Sequence, residues 1–315
     1  MQGDAPLVRR ALSDVSRETT VVAAPRRERG DTPIARAAEV ALEVRGVGSK
    51  KSWPRPERCR VVTIANQKGG VGKTTSAVNL AAGLAMHGSR VLVVDLDPQG
   101  NASTALGIEH RQSVTSVYNA LVEDVPLRDV ATSVEGFEGL HCVPATIELA
   151  GAEIELVSLV ARESRLKRAL DAYDQTELDY ILIDCPPSLG LLTVNALVAA
   201  DEVLIPIQCE YYALEGLGQL LKNVELVQSH LNPGLRISTI MLTMYDGRTR
   251  LASQVADEVR SHFDTLVLDT VIPRSVRVSE APSYGQSVMT YDPGSTGALA
   301  YMEAAREMAY RGAAQ

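Results

Sequence analysis

Short apolar runs alternate with longer amphipathic stretches along most of the chain, from Val61 onward. Seven β-branched and apolar runs predict strands, over residues 61–65, 90–97, 140–145, 180–187, 201–208, 236–244 and 266–273. Helical stretches lie between most of them, including residues 74–87, 191–200, 214–230 and 251–263. Strands that are apolar throughout are buried on both faces, so the pattern predicts an α/β fold: a doubly wound, mostly parallel sheet with helices on both faces. Ligands of such sheets bind at the carboxyl ends of the strands.

The first 58 residues lack this alternation. They combine scattered apolar residues with arginine pairs and five prolines, and they end in the linker-like stretch GVGSKKSWPRPER. We therefore expect a basic, disordered extension over residues 1–58 and one folded domain over residues 59–315. The extension either adds nonspecific DNA affinity or a partner contact, or it has no specific role.

The charge is distributed unevenly. The first 60 residues contain 13 Lys or Arg and 8 Asp or Glu, whereas the whole chain of 315 residues has a net charge of −8. An acidic body repels a DNA duplex unless its positive residues gather on one face. With only two Phe and one Trp, base-stacking platforms are also excluded, so any DNA binding is expected to be electrostatic.

The cysteines and the apolar runs indicate the compartment. The four cysteines show no CxxC spacing, which argues against a zinc site and for reduced thiols. No apolar run approaches the length of a membrane span, and no apolar signal segment opens the chain. We expect a cytoplasmic protein that does not bind membranes.

The loop after the first strand has the composition of a phosphate-binding loop. Gly72, Lys73 and Thr74 match the second half of the P-loop pattern and open a helix, but Gln67 stands where the first glycine belongs and Lys68 follows it. Backbone N–H groups of such a loop converge on phosphate oxygens, and the helix N-terminus adds positive charge. Lys73 can serve the β and γ phosphates, and the Thr74 hydroxyl can ligate Mg²⁺.

The stretch KGGVGKTT, residues 68–75, has the form of the deviant Walker A motif, and the chain resembles the ParA/Soj family of chromosome and plasmid partition ATPases. Further blocks in family order are DLDPQGNAS, LIDCPPSLG, QCEYYALEGL, MYDGRTRL and VIPRSVRVSEAPSYGQSV, which extend the resemblance over residues 61 to about 310. The resemblance implies ATP and Mg²⁺ as cofactors. It places the nucleotide on Lys68, Gly69, Gly70, Val71, Gly72, Lys73, Thr74 and Thr75.

The resemblance also implies a role for the extra lysine. In that family the lysine at the position of Lys68 reaches the nucleotide of a second subunit, so that two ATP molecules lie between two chains. Lys68 and Lys73 would then both be catalytic, and the protein would form a homodimer with ATP. The alternative is a solvated loop lysine without this role.

Three aspartates end predicted strands. Asp184 resembles the Walker B aspartate that holds Mg²⁺, although a strand-end aspartate can also cap the following turn. Asp95 and Asp97 alternate at the end of one strand, so both can face the phosphates. By resemblance Asp97 orients the attacking water and Asp95 supports the metal, so the predicted metal site is Thr74, Asp95 and Asp184. A carboxylate is a weak base at its ordinary pKa, so we expect slow hydrolysis of ATP to ADP and phosphate.

Two late blocks complete the predicted site and a DNA surface. Pro273 and Ser275 match family positions that contact adenine; the alternative is that Pro273 simply ends a strand. Arg248, Arg274, Arg277 and Lys222 match or neighbour the family's nonspecific DNA-binding arginines, although surface salt bridges explain such residues too. The implied partners are double-stranded DNA and a ParB/Spo0J-like protein that stimulates hydrolysis, and the implied location is the nucleoid.

Other functions remain open at this point. A ParA-like paralogue could position another cargo, and a MinD-like ATPase could cycle on membranes, but the final stretch is alanine-rich with few basic residues. A metabolic enzyme of the same superfamily would be a synthetase or an iron–sulfur reductase, and nothing marks Cys142 or Cys185 as cluster ligands. A scaffold without ATPase activity is excluded by no single residue.

Overall fold

The structure is a computed structural model that describes residues 52–210 and 213–313, and of residues 213–215 only the backbone. Most of the predicted basic extension lies outside the described residues, so its nature stays a prediction. The packed structure begins at the end of that segment, because Trp53 is buried against the domain. Its ring stacks on His87 with centroids 3.6 Å apart. Residues 52–58 therefore pack with the domain, whereas the sequence pattern indicated a linker.

Eight strands form one sheet. Their order across the sheet is β3-β4-β2-β5-β1-β6-β7-β8, and all neighbours are parallel except β3 and β4. The strands are β1 (Arg60–Ile64), β2 (Val91–Asp95), β3 (Thr132–Ser133), β4 (Leu140–Val143), β5 (Tyr180–Asp184), β6 (Glu202–Gln208), β7 (Arg236–Tyr245) and β8 (Val267–Pro273). The predicted α/β fold with a mostly parallel sheet is confirmed, and the short antiparallel edge strand β3 is the one strand of the described chain that the pattern missed.

Helices cover both faces of the sheet. They are α1 (Lys73–Met86), α2 (Asn101–Ala105), α3 (Val117–Val122), α4 (Leu127–Val130), α5 (Leu149–Leu156), α6 (Arg165–Asp171), α7 (Leu191–Ala199), α8 (Ala213–His230), α9 (Arg250–Phe263), α10 (Val276–Glu280), α11 (Val288–Tyr291) and α12 (Thr296–Ala313). Each face of the sheet has its own apolar core. Alternate residues of the central strands point into one core or the other, as for Val61 and Val62 of β1.

The topology gathers the loops that follow the central strands. β1 lies between β5 and β6, with Ile64 beside Asp184 and Leu204 in register. β2 pairs with the other side of β5 and brings Asp95 beside Asp184. The carboxyl ends of these parallel strands therefore meet at one edge, where the sequence places the phosphate loop and the acidic residues.

The last helix packs against the helix of the phosphate loop. Tyr301, Met302 and Ala305 of α12 are buried, and a Cβ placed on Gly83 of α1 would lie 2.8 Å from the Ala305 side chain, so the two helices need a glycine there to approach so closely. Across the described residues, every helix is too short or too polar for a membrane span. The α12 helix thus contributes an apolar face to the core.

Candidate nucleotide site

The phosphate loop joins β1 to α1 through residues 65–72. Gly70 and Gly72 adopt φ angles of 74° and 91°, which side chains other than glycine rarely tolerate, and Gly72 is the N-cap of α1. A Cβ built on Gly69 or Gly70 would meet none of the described atoms within 4 Å, so the loop faces open space. The free N–H groups of the first turn of α1 point in this direction, as anion binding requires.

Lys73 is the first residue of α1, directly after the loop, and is only 7% exposed. Its Nζ donates to the Lys68 carbonyl oxygen at 3.3 Å. Burial lowers the pKa of Lys73, and the carboxylates of Asp184 and Asp97 act in the opposite direction. The ammonium group is thus held among acids at the base of the loop, where a phosphate would replace its weak carbonyl partner.

The loop is fastened to the two strands beside it. The Asn66 side chain donates to the Pro206 carbonyl of β6 at 2.8 Å and accepts from the Lys68 backbone N–H at 3.0 Å. Beyond β6 on the same side, Thr243 of β7 donates to the Val71 carbonyl at 2.8 Å. These bonds fix the loop before any ligand arrives, which lowers the entropic cost of binding.

A cavity of about 880 Å³ opens above the loop. It is lined by the loop with α1, the segment after β2 with α2, α5, the turn after β5 with the start of α7, Met244 of β7, and residues 282–286. Of the predicted nucleotide and catalytic residues, Gly69, Gly70, Gly72, Lys73, Thr74, Thr75 and Asp97 line this cavity. The structure therefore brings the phosphate loop and the predicted water-positioning aspartate to one space.

Asp184 at the end of β5 is the most unusual acid of the site. It is 0% exposed, and among the described residues neither carboxylate oxygen has a hydrogen-bond partner. Burial, followed by the charge of Asp95, raises the pKa of Asp184 well above its usual value, while the nearby Thr74 hydroxyl and the Lys73 charge oppose the rise. Buried oxygens without partners are costly, and a cation next to Thr74 would satisfy them.

The residues present fit a magnesium ion that substrate and water complete. No group of three or more His, Cys, Asp or Glu within the described ranges could hold a metal on its own. Mg²⁺ in phosphate sites takes only one or two protein ligands and fills its other positions with phosphate oxygens and water. The Thr74 hydroxyl and the Asp184 carboxylate are sufficient for that arrangement.

Asp95 and Asp97 differ from each other more than their alternation predicts. β2 ends at Asp95, so Asp97 leaves the strand and lines the cavity, while Asp95 is fully buried. Asp95 accepts from the Asp97 backbone N–H at 3.1 Å, and from the Ser103 backbone and hydroxyl at 2.8 and 2.7 Å. The expectation that both face the phosphates is wrong for Asp95 in this structure, because its oxygens bind the loop that carries Asp97.

Four predicted nucleotide-binding residues lie outside the cavity lining, as do the fully buried Asp95 and Asp184. Val71 is buried under the loop, and Lys68 contacts Glu210 instead. Pro273 ends β8, and Ser275 is the N-cap of α10, both partly buried and outside the lining. Their roles with adenine stay predictions.

Several lining residues were not predicted. Asn79 is a polar residue on an otherwise apolar helix and bonds the Thr75 carbonyl and the Val288 N–H. Its polar side chain stands out among alanines and leucines in the sequence, but hydrophobic periodicity alone assigns it no role. The lining also includes polar residues from distant segments to which the sequence analysis gave no role, although all but Glu153 lie in the quoted family blocks: Gln99, Asn101, Glu153, Ser188 and Gln286.

The predicted DNA-binding residues lie on the surface. Tyr245 pairs with Pro273, and the Arg274 backbone N–H donates to the Tyr245 carbonyl at 3.1 Å, so the blocks after β7 and β8 are adjacent. Arg248 is 88% exposed and forms two bonds of 2.8 Å to Asp246, which together lower the pKa of Asp246 to about 2.

The other two predicted DNA contacts differ in their pairing. Arg277 pairs with Glu280 and Asp292 at 3.0 and 3.2 Å, and Lys222 is exposed on α8. Arg248 and Arg277 are therefore already paired with carboxylates of their own chain. Any phosphate must therefore compete with these acids.

Comparison with known proteins places the chain in a family. A family model described as an AAA domain matches residues 59–237. The sporulation initiation inhibitor protein Soj of Bacillus subtilis is 58% identical over 255 residues, which span 80% of this chain and 99% of the relative. The chromosome partitioning protein ParA of Caulobacter vibrioides is 53% identical over 253 residues, with 80% and 94% covered.

The chain belongs to the Soj/ParA family. The resemblance drawn from the deviant loop and its accompanying blocks is thereby confirmed.

A solved structure agrees on fold and cofactors. Cobyrinic acid a,c-diamide synthase from Mycobacterium smegmatis, crystallised with an ATP analogue and magnesium, is 40% identical and superposes with a TM-score of 0.68 over 78% of this chain and 93% of that chain. Its ligands are the pair predicted here from the loop, ATP and Mg²⁺. Its name is that of a metabolic enzyme, so a metabolic activity remains a competing function for this chain.

Proposed function

We propose that this protein is a partition ATPase that binds Mg-ATP, dimerises around it, binds DNA without sequence preference and releases DNA on hydrolysis. The observation that carries the proposal is the cavity at the carboxyl edge of the sheet, which Lys73 and Asp97 line, with the buried and unsatisfied Asp184 next to Lys73. The high identity to Soj and ParA over nearly their whole lengths supports the same conclusion.

Each residue has a proposed task. The loop N–H groups and Lys73 bind the β and γ phosphates, and Thr74 and Asp184 would hold the magnesium ion that accompanies the nucleotide. A bound magnesium ion supplies charge neutralisation at these phosphates. Asp97 orients the attacking water, and Asp95 positions Asp97 through the bond to its backbone N–H. Lys68 reaches the nucleotide of a second copy.

DNA binding would follow from dimerisation. Phosphate affinity rises steeply with the number of cations engaged, so two copies of Arg248, Arg274, Arg277 and Lys222 bind a duplex where one acidic monomer does not. A ParB-like protein would then stimulate hydrolysis and end the DNA-bound state. In this proposal the protein works on the nucleoid in the cytoplasm.

The competing functions are less well supported. A MinD-like membrane role needs a free amphipathic helix, whereas the described part of α12 has its apolar face in the core. A synthase role rests on a 40% identical structure, against 58% and 53% identity to partition proteins. A paralogue that positions another cargo would share every feature of the site and differ only in its partner.

DNA co-sedimentation tests the proposal. Protein and DNA are spun with Mg²⁺ and either no nucleotide, ADP or a slowly hydrolysed ATP analogue, with and without a candidate ParB. We expect DNA binding only with the analogue, and binding that weakens steeply with salt. Binding that is independent of nucleotide and of salt would contradict the proposal, and turnover that responds to a small acid substrate but not to DNA would favour the synthase.

Mixing two inactive variants tests whether Lys68 acts between chains. A Lys68→Ala chain still binds a nucleotide through Lys73, and a Lys73→Ala chain still offers Lys68 to its neighbour. Only a dimer of one chain of each kind therefore places Lys68 of one chain on a nucleotide bound by the other. The mixture should recover up to about a quarter of wild-type hydrolysis, because half of the dimers are mixed and each has one complete site. No recovery, with mixed dimers present, would show that Lys68 does not act across the interface.

A further inference from the structure

Lys68 forms an ion pair with Glu210 of the same chain. The two side chains are 31% and 37% exposed, so the pair lies at the rim of the site rather than in the core. Lys68 lies in the loop after β1, and Glu210 lies two residues beyond the end of the neighbouring strand β6. The parallel pairing of β1 and β6 places both residues at the same edge of the sheet.

The backbone holds both residues in place for this contact. Asn66 is buried, and it links the Lys68 N–H to the Pro206 carbonyl of β6. On the other chain segment, the Cys209 N–H donates to the Thr243 carbonyl of β7 at 3.2 Å, and the Glu210 N–H donates to the Gln208 carbonyl at 2.8 Å. The backbone is therefore fixed at both residues. Lys68 can redirect its ammonium group only by rotation within its flexible side chain.

In this structure the ammonium group of Lys68 is held against a carboxylate of its own chain rather than placed on a nucleotide of another chain. We infer that Glu210 is an intrachain latch that holds Lys68 and restrains ATP-dependent dimerisation. This inference rests on the proposed function, because it assumes that Lys68 acts on the second copy. The latch opens when the triphosphate of an approaching copy competes with the single carboxylate, since a polyphosphate carries several charges and more acceptor oxygens.

The size of the effect follows from exposure. A partly exposed ion pair contributes little on its own, and a symmetric dimer must break two of them. Removing both carboxylates should therefore tighten the dimer by about 2- to 30-fold. A latch of this size delays assembly at low protein concentration without preventing it once ATP is bound.

The test is the dimer dissociation constant of the Glu210→Gln chain, measured by sedimentation velocity over a dilution series with Mg²⁺ and a slowly hydrolysed ATP analogue. We expect a constant about 2- to 30-fold lower than in the wild type, and half-maximal hydrolysis at a correspondingly lower protein concentration. Glu225→Gln, the same change at an exposed position of α8, should leave both values unchanged. Glu210→Ala serves as a second variant if the glutamine chain folds poorly, as thermal melting would reveal.

The outcomes separate the latch from the function it depends on. If the wild type stays monomeric with the analogue, the proposed dimer itself is wrong. If the wild type dimerises but Glu210→Gln binds equally or more weakly, the latch is wrong, and Glu210 supports the dimer or does nothing. If Lys68→Ala combined with Glu210→Gln still shows the tightening relative to Lys68→Ala, the effect does not pass through Lys68, and the latch is also wrong.

Discussion

Replacing Asp184 with asparagine should stabilise the nucleotide-free protein while it removes magnesium-dependent nucleotide binding. The carboxylate is 0% exposed and lacks hydrogen bonds within the described residues. Its neighbours Asp95 and Asp97 add repulsion, which the Thr74 hydroxyl and the charge of Lys73 oppose. A buried polar group without partners costs about 1–3 kcal/mol, and more when it is charged. Asparagine keeps the shape and stays polar, so the variant recovers only the cost that the charge adds, about 1–3 kcal/mol.

Thermal melting in the presence of EDTA measures the first half of this prediction. A gain of about 1–3 kcal/mol raises the melting temperature by about 2–12 °C in a domain of this size. The second half is measured with Mg-ATP, which should raise the melting temperature of the wild type but not of the variant. Asp171→Asn is the matched control, since Asp171 is exposed and pairs only with Lys167 among its described contacts, so it should change stability by less than about 0.5 kcal/mol.

An unchanged or lower melting temperature of Asp184→Asn in EDTA would refute the reasoning that this carboxylate is held at a cost for a cation. Retention of the Mg-ATP shift in the variant would refute its assignment as the metal residue. The two results are independent, so the structural and the functional parts of the argument can fail separately.

Three further predictions concern other parts of the molecule. Asp97→Ala should lower hydrolysis by about 10²- to 10³-fold while nucleotide binding, followed by thermal shift, persists; wild-type rates would contradict its role. Trp53→Ala should lower the free energy of unfolding by about 2–4 kcal/mol in denaturant titrations, because it removes a buried ring stacked on His87. A loss below about 0.5 kcal/mol would show that residues 52–58 are not part of the folded unit. Burial opposes ionisation of Glu202, but the bonds from Arg60 outweigh burial and lower the pKa of Glu202. The stability that Glu202 provides is therefore present above the ordinary pKa of Glu and is lost as the pH falls below it. Glu202→Gln should flatten the acid side of a stability–pH profile, and an unchanged profile would contradict the assignment.

Local features of the site were predictable from sequence because their geometry is local. The glycines, Lys73 and Thr74 are adjacent in the chain, and a strand and a helix on either side fix the direction of the loop. The seven main strands are apolar enough to be found individually. Family blocks added the roles of Asp97 and Asp184, which no local pattern assigns.

Features that depend on packing between distant segments were not predictable. The pairing of Lys68 with Glu210 and the burial of Trp53 join segments more than 30 residues apart, and so do most pairs of neighbouring strands. The alternation rule failed for Asp95 and Asp97 as a pair because β2 ends at Asp95, and a strand end depends on where its neighbours stop pairing. Hydrophobic periodicity indicates neither which distant segments pack together nor the residue at which a strand ends.

The most direct test of the account is the mass of the wild-type protein in solution as a function of nucleotide. Sedimentation velocity would be run with Mg²⁺ and ADP, and with Mg²⁺ and a slowly hydrolysed ATP analogue, on the wild type and on Lys68→Ala. The account predicts a species of twice the chain mass for the wild type with the analogue, and monomers in the other three samples. A monomeric wild type with the analogue, or a dimer that forms equally well without Lys68, would contradict it.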